Sequence, residues 1–188
     1  MKQILSISAI VLLVAAIALP GVASAQTNAW QQKDMNLSAG IGFGMYGLYG
    51  TSSLPPIFVA FETGVAEKIT LGGIVAYSGS SDDFGYGKWK YTYIVIGARG
   101  AYHFLEHNPK FDAYAGAGLG YDIVSSSVTW NNTGYERLYG GYYSASASYF
   151  FFDVFLGGRW YFSPKWALQG EVGYGVGFVR VGVSYKLN

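Results

Sequence analysis

From Met35 to the carboxy terminus, apolar and non-apolar residues trade places at almost every step, and the pattern is cleanest at the end. Between Trp166 and Leu187 one set of alternate positions reads Trp166, Leu168, Gly170, Val172, Tyr174, then Val179, Val181, Val183, Tyr185, Leu187. The other reads Ala167, Gln169, Glu171, Gly173, Gly175, then Arg180, Gly182, Ser184, Lys186. Side chains of a strand point alternately to its two faces, so the stretch predicts two amphipathic β-strands. Val176, Gly177 and Phe178 are left to make a tight hairpin turn.

The same period predicts six more strands upstream. The first places Leu37, Ala39, Ile41, Phe43 and Met45 on one face. The second carries Ile57, Val59, Phe61, Thr63 and Val65, and the third Ile69, Leu71, Gly73, Val75 and Tyr77. The fourth runs from Thr92 to Phe104, the fifth from Phe111 to Ile123 and the sixth from Phe150 to Phe162. Short turns at Ala66-Glu67-Lys68, at EHNPK and at Ser163-Pro164-Lys165 alternate with longer polar connections. In the first long connection, GLYGTSSLPP, a double proline is expected to end sheet pairing. The longest is expected to run from about Ser125 to Ser148.

Which way the apolar face points decides the environment. None of its residues is Asp, Glu, Lys, Arg or His, whereas the opposite face carries the strand charges, His103 and many glycines. A soluble barrel turns its apolar face inward. Its charges then lie outside, and a charge-free band facing water is one that soluble proteins avoid on this scale. A transmembrane barrel resolves this with apolar side chains outward and polar ones inward. It must close, because lipid cannot satisfy a free sheet edge. Outward aromatics agree. Tyr102, Phe104, Phe111, Trp160, Phe162, Trp166 and Tyr185 lie near the short turns, and Tyr77, Tyr121, Phe150 and Tyr174 near the other end. Two such belts mark two membrane interfaces. The expected fold is therefore all-β: an eight-stranded antiparallel up-and-down transmembrane β-barrel with short periplasmic turns and longer outer loops.

The leader fits this destination. Lys2, the apolar run Ile4–Leu19, the Pro20-Gly21 break and Ala23-Ser24-Ala25 form a signal peptide, expected over residues 1–25 with the barrel over 26–188. The run is shorter than the ~20 residues of a membrane-spanning helix. The chain is 188 residues long with 27 Gly, 17 Tyr, 12 Phe, 5 Trp and no Cys. Lack of cysteine excludes disulfides, thiolate metal sites and an amino-terminal lipidated Cys. With Lys2 removed the basic and acidic residues balance, which gives no sign of a nucleic-acid partner.

The strand ends GVAEKITLGG, IGARGAYHF, FDAYAGAGLGYD and EVGYG, with the closing VGVSYKL, resemble the small eight-stranded outer-membrane barrels of the OmpA/OmpX-like group. The resemblance spans Met35 to Leu187 and implies a bacterial outer-membrane location. It also implies contact with lipid and lipopolysaccharide, insertion by the barrel-insertion machinery and a monomeric state. Two departures stand out. No peptidoglycan-binding domain follows, so no cell-wall tether is implied, and Leu187-Asn188 stand where the family usually ends in Phe.

Gly42-Phe43-Gly44-Met45-Tyr46-Gly47 spells a dinucleotide fingerprint, but that motif needs a following helix and here a loop and a strand follow. No cofactor and no metal are expected. The inward charges carry more. Glu62, Arg99, Arg159 and Glu171 fall at similar heights, His103 falls about opposite Asp112, and Asp122, Asp153 and Arg180 form an upper group. Acids and bases inside a narrow barrel are expected to make a buried ion-pair network that fills the lumen, since an unpaired buried charge is costly. A narrow ion-conducting pore is the alternative. A second is an outer-leaflet lipid-modifying enzyme, which the resemblance associates with a His beside Ser, Asp or Glu at the outer rim; both His103 and His107 fall at the other end. Asn36-Leu37-Ser38 and Asn131-Asn132-Thr133 match the glycosylation sequon, without meaning in a bacterial exported chain. The third outer loop, with Trp130, Tyr135, Arg137 and Tyr139, has the composition of an adaptable surface. The expected function is a non-enzymatic outer-membrane barrel with a filled lumen and surface loops, possible sites of adhesion.

Overall fold

A computed structural model describes residues 29–45, 51–105, 108–131, 134, 137 and 144–188. Eight strands follow one another: β1 (Met35–Phe43), β2 (Thr51–Ala66), β3 (Ile69–Asp83), β4 (Gly87–His103), β5 (Phe111–Trp130), β6 (Ser144–Tyr161), β7 (Trp166–Tyr174) and β8 (Val179–Lys186). Each pairs antiparallel with the next, and β8 returns to β1, closing the barrel. The seam runs from Asn36↔Lys186 to Phe43↔Val179, with Leu37 opposite Tyr185. Closure leaves the pleat only two directions, into the barrel or out of it. The apolar set points out: Leu71, Val75, Ile96 and Leu156 are each more than half exposed. Arg159 and Arg180, on the other set, retain 1%. The leader expected over residues 1–25 lies outside the described residues.

Strand lengths depart from expectation. The double proline does not end β2, which runs through Pro55 and Pro56. The register slips there, from Leu54↔Gly79 to Ile57↔Tyr77, so β2 carries an extra residue. β1 stops pairing with β2 at Ile57. The prolines thus occupy a bulge on a strand with no β1 neighbour, where a missing N–H costs no ladder bond on that side. β3 and β4 continue past Ser78 to a short turn, with Asp83 opposite Lys88. β5 and β6 likewise extend through Ser125–Trp130 and Ser144–Ser148, so the third outer connection is much shorter than its composition suggests. Serines and glycines at these positions read as loop, but continuous pairing between Ser127↔Ser144 and Ser125↔Ser146 holds them as strand.

The barrel is consequently lopsided. β2 to β6 rise well beyond β7, β8 and β1. Met45, expected to face outward, is buried. Gly44 adopts φ 69° and breaks the alternation, turning Met45 over the rim into the interior. Val176, in the β7–β8 turn, is also fully buried, so this turn folds inward as a lid.

Candidate functional site: the barrel interior

The interior is stratified. At the end marked by the short turns, the segment preceding β1 folds under the barrel. Trp30 stacks on His103 with ring centroids 4.7 Å apart and planes 12° apart. Gly64 makes room, since a Cβ there would stand 2.8 Å from the indole. Lys186 Nζ donates to the Ala29 carbonyl at 2.8 Å and to Asp34 Oδ2 at 2.7 Å. Lys33 N donates to Gly64 O at 3.0 Å and Gly64 N to Asp34 O at 2.9 Å, so the segment is stitched to the end of β2.

Above this cap lies a continuous array of ions. Glu62 is hydrogen-bonded by Arg159 Nη2, and its other oxygen lies 3.2 Å from Arg99 Nε. Arg99 Nη2 donates to Glu171 Oε1 at 2.6 Å. Glu171 Oε2 lies 2.8 Å from Arg180 Nε, and Arg180 Nη1 reaches both oxygens of Asp153 at 3.0 and 2.9 Å. At the other end Arg159 Nη1 stands 3.5 Å from Asp112, whose Oδ1 accepts from His103 Nδ1 at 2.7 Å. Four carboxylates thereby alternate with three guanidiniums and an imidazole in one chain of contacts crossing the bore. Neutral groups complete it. Tyr114 OH and Gln169 Nε2 donate to Glu171 Oε1 at 2.9 and 2.8 Å. Phe155 lies between two cations, with Arg99 Cζ 3.9 Å and Arg180 Cζ 5.2 Å from its centroid, while Arg159 sits 4.6 Å over Tyr114. Such contacts favour the cation over an aromatic face.

The residues expected to share the interior divide as follows. Glu62, Arg99, Arg159 and Glu171 are joined. Arg180 and Asp153 attach to that group through Glu171 instead of forming a separate upper pair. His103 meets Asp112 diagonally, because its partner across the ladder is Tyr114 and that of Asp112 is Arg159. Asp122 stands apart, higher on β5, opposite Tyr149. Tyr114, Gln169 and Phe155 were visible only as inward positions of their strands, and nothing in the alternation pointed to Trp30, which precedes it.

A third layer is apolar. Phe58, Ile74, Tyr93, Val95, Phe151, Met45 and Val176 form one buried cluster above the ions. The outer hairpins end in their own contacts. Trp130 meets Phe84 edge-on at 5.8 Å, and Asn131 donates to the carbonyls of Tyr86 and Gly85. Trp130 therefore braces the β4–β5 sheet against the β3–β4 turn. Arg137 is exposed, and Tyr135, Tyr139 and His107 lie outside the described residues. Among the described residues no cluster of His, Asp and Glu is arranged to hold a metal ion.

No sequence-family model and no curated protein matches the chain. Solved structures do. The N-terminal β-barrel domain of Pseudomonas aeruginosa OprF aligns with a TM-score of 0.52 at 12% identity, covering 84% of this chain and 100% of that one. Ail, the attachment invasion locus protein of Yersinia pestis, aligns with a TM-score of 0.52 at 13% identity, covering 83% and 99%. Ail in complex with the heparin analogue sucrose octasulfate gives 0.50 at 12%, covering 82% and 96%. The closed eight-stranded antiparallel ring, apolar outside and ionic within, is the fold of the small outer-membrane β-barrels.

Proposed function

We propose that the protein is a non-enzymatic component of the bacterial outer membrane, exported by a signal peptide over residues 1–25, inserted as a barrel and closed to ion flow. The observation that carries this reading is the ion array spanning the bore from Asp112 to Asp153, capped by Trp30 on one side and by Val176 and its apolar neighbours on the other. Charges locked to one another across a narrow interior offer no free path, because each hydrogen bond given up to a passing ion leaves a buried partner exposed to desolvation cost. What remains for function is the outer end, where paired strands carry their turns beyond the belt of outward apolar residues.

Surface interaction through these hairpins is the finer reading, with Arg137 and the braced Trp130 at their tips. The likeness in fold to Ail, the attachment invasion locus protein, supports this reading. Two measurements test the whole. Purified protein in planar bilayers is expected to stay silent, and resolved unitary currents would overturn the closed lumen in favour of the pore. Lipid A extracted with and without the gene is expected to give the same mass spectrum; a mass change would restore the lipid-modifying alternative. For the hairpins, nanodisc-embedded protein is expected to bind a host-cell or matrix surface more strongly than an Arg137→Glu variant, and equal binding counts against that loop.

A further inference from the structure

Above the apolar layer the interior opens into a cavity of about 480 Å³, within the ~300–1,000 Å³ range of small-molecule sites. Two observations give it a chemistry and a direction. The first is Asp122. Its Oδ1 is buried and has no hydrogen-bond partner among the described residues. It lines the cavity with Tyr91, Tyr93, Val124 and Phe151, and no Lys or Arg is among the described lining residues. The guanidinium of Arg180, in the upper part of the ion array, is held by Asp153 and Glu171. Asp122 is half-buried, and its covered oxygen lacks a cation beside aromatic faces that attract one through their π-electrons.

The second observation is that both faces of one strand line the same cavity. Tyr149 and Phe151 belong to the inward set of β6 positions and Phe150 and Phe152 to the outward set, yet all four border it. Side chains of alternate residues lie on opposite faces of a strand, so a space bordered by both sets runs along the strand's edge. Among the described residues no strand pairs with this edge above Val154↔Tyr174, whereas β6 continues up to Ser144. At the mouth, Phe152 stacks on Tyr174 with centroids 4.9 Å apart, and Phe150 meets Tyr121 edge-on. These residues belong to the upper aromatic belt, the level at which headgroups meet hydrocarbon in a bilayer.

We propose that the outer end of the barrel holds a side-opening site for a small amphiphilic organic ammonium compound, its charged head on Asp122 and its apolar body at the Phe152–Tyr174 mouth. The site rests on the outer-membrane reading, since the mouth has meaning only if the outward belt lies in lipid. The low sector of the lopsided barrel then has a use: by stopping short, β7 and β8 leave a window that a full-height hairpin would cover.

The test uses the full mature barrel in lipid nanodiscs, with saturation-transfer NMR of benzyltrimethylammonium against its neutral isostere neopentylbenzene and against benzenesulfonate. The cation is expected to bind at least about tenfold more tightly than either. Asp122→Asn is expected to remove that preference, and Ala147→Trp, which fills the cavity, to remove binding altogether. Retention of the folded gel mobility by both variants excludes misfolding as the cause. A nitroxide placed near the headgroup of the lipid is expected to relax the bound phenyl protons. Equal binding of cation and neutral isostere, binding unchanged in both variants, or no binding up to about 10 mM would overturn the site. Binding without relaxation by the spin-labelled lipid would overturn the sideways mouth. Failure of the chain to enter the bilayer would overturn the barrel reading and the site with it, a result distinct from an inserted barrel that ignores the cation.

Discussion

Trp30 lies flat against His103, 4.7 Å from ring centre to ring centre, although the two residues belong to a segment outside the barrel and a strand inside it. The indole covers the imidazole, and with it the Asp112 end of the ion array. Removing it opens a hole the size of a Trp side chain beneath buried charge. Trp30→Ala is expected to cost ~3–5 kcal/mol in urea unfolding from lipid vesicles, followed by far-ultraviolet circular dichroism. A loss below ~0.5 kcal/mol would mean that the cap merely rests on the barrel.

Glu62 serves two guanidiniums, so its loss leaves Arg99 to Glu171 alone and Arg159 to the longer contact with Asp112. Glu62→Gln is expected to destabilise by ~3–5 kcal/mol, the range for breaking a buried pair from one side. The double variant Glu62→Gln/Arg159→Gln should then cost clearly less than the two single changes added together, because the second change removes a charge that has already lost its shortest contact. Strict additivity in the same vesicle assay would show that the two side chains are not coupled.

On the outward face the sign of the argument reverses. Val75 stands half exposed in the middle of β3, flanked across the ladders by Val59 and Ile96. Val75→Arg would place a guanidinium in hydrocarbon, at a cost of ~2–4 kcal/mol near the bilayer midplane. In detergent or lipid refolding titrations a neutral outcome would mean that this belt faces water.

Two glycines of neighbouring strands separate the roles of small residues. A Cβ on Gly157 would stand 2.6 Å from the Tyr114 ring and 2.8 Å from Glu171 Cγ, whereas one on Gly170 would meet nothing within 4 Å. Gly157→Val is expected to destabilise by ~1–3 kcal/mol through overpacking, and Gly170→Ala to change stability by under ~0.5 kcal/mol. Thermal mobility shifts on gels compare them directly, and equal effects would remove the packing explanation.

The barrel was legible because a period of two allows a strand only one choice of face at a time, and along the strands read from the alternation the charges all fell on one of the two. Strand ends were less so. Ser125, Ser126 and Ser144 have turn-like composition, and their pairing is decided by neighbours across the sheet, which local preference does not reveal. Pro55 and Pro56 misled for the complementary reason: a proline stops a ladder only where its N–H was needed. Within the interior the residue types were readable from alternation, but the stagger of the strands decides who meets whom. His103 and Asp112 meet diagonally, and Asp122, two residues above Gly120 on the same inward row, is carried past the array altogether. Trp30 and Met45 lay beyond the reach of the pattern, one before it starts and one just after Gly44 interrupts it.

The carboxy-terminal residue gives the seam a property that backbone pairing alone lacks. Asn188 Oδ1 accepts from Met35 N at 2.9 Å while its Nδ2 donates to Lys33 O at 2.9 Å, directly after Leu187 N donates to Met35 O at 2.8 Å. A carboxamide carries the same donor and acceptor as a peptide unit, so a side chain supplies the last rung. Backbone rungs are interchangeable and would form equally well if β8 slid along β1; this one exists at a single position on the chain. Asn188 thus works as a gauge of alignment, completing its two bonds only when the first and last strands have met in the correct register.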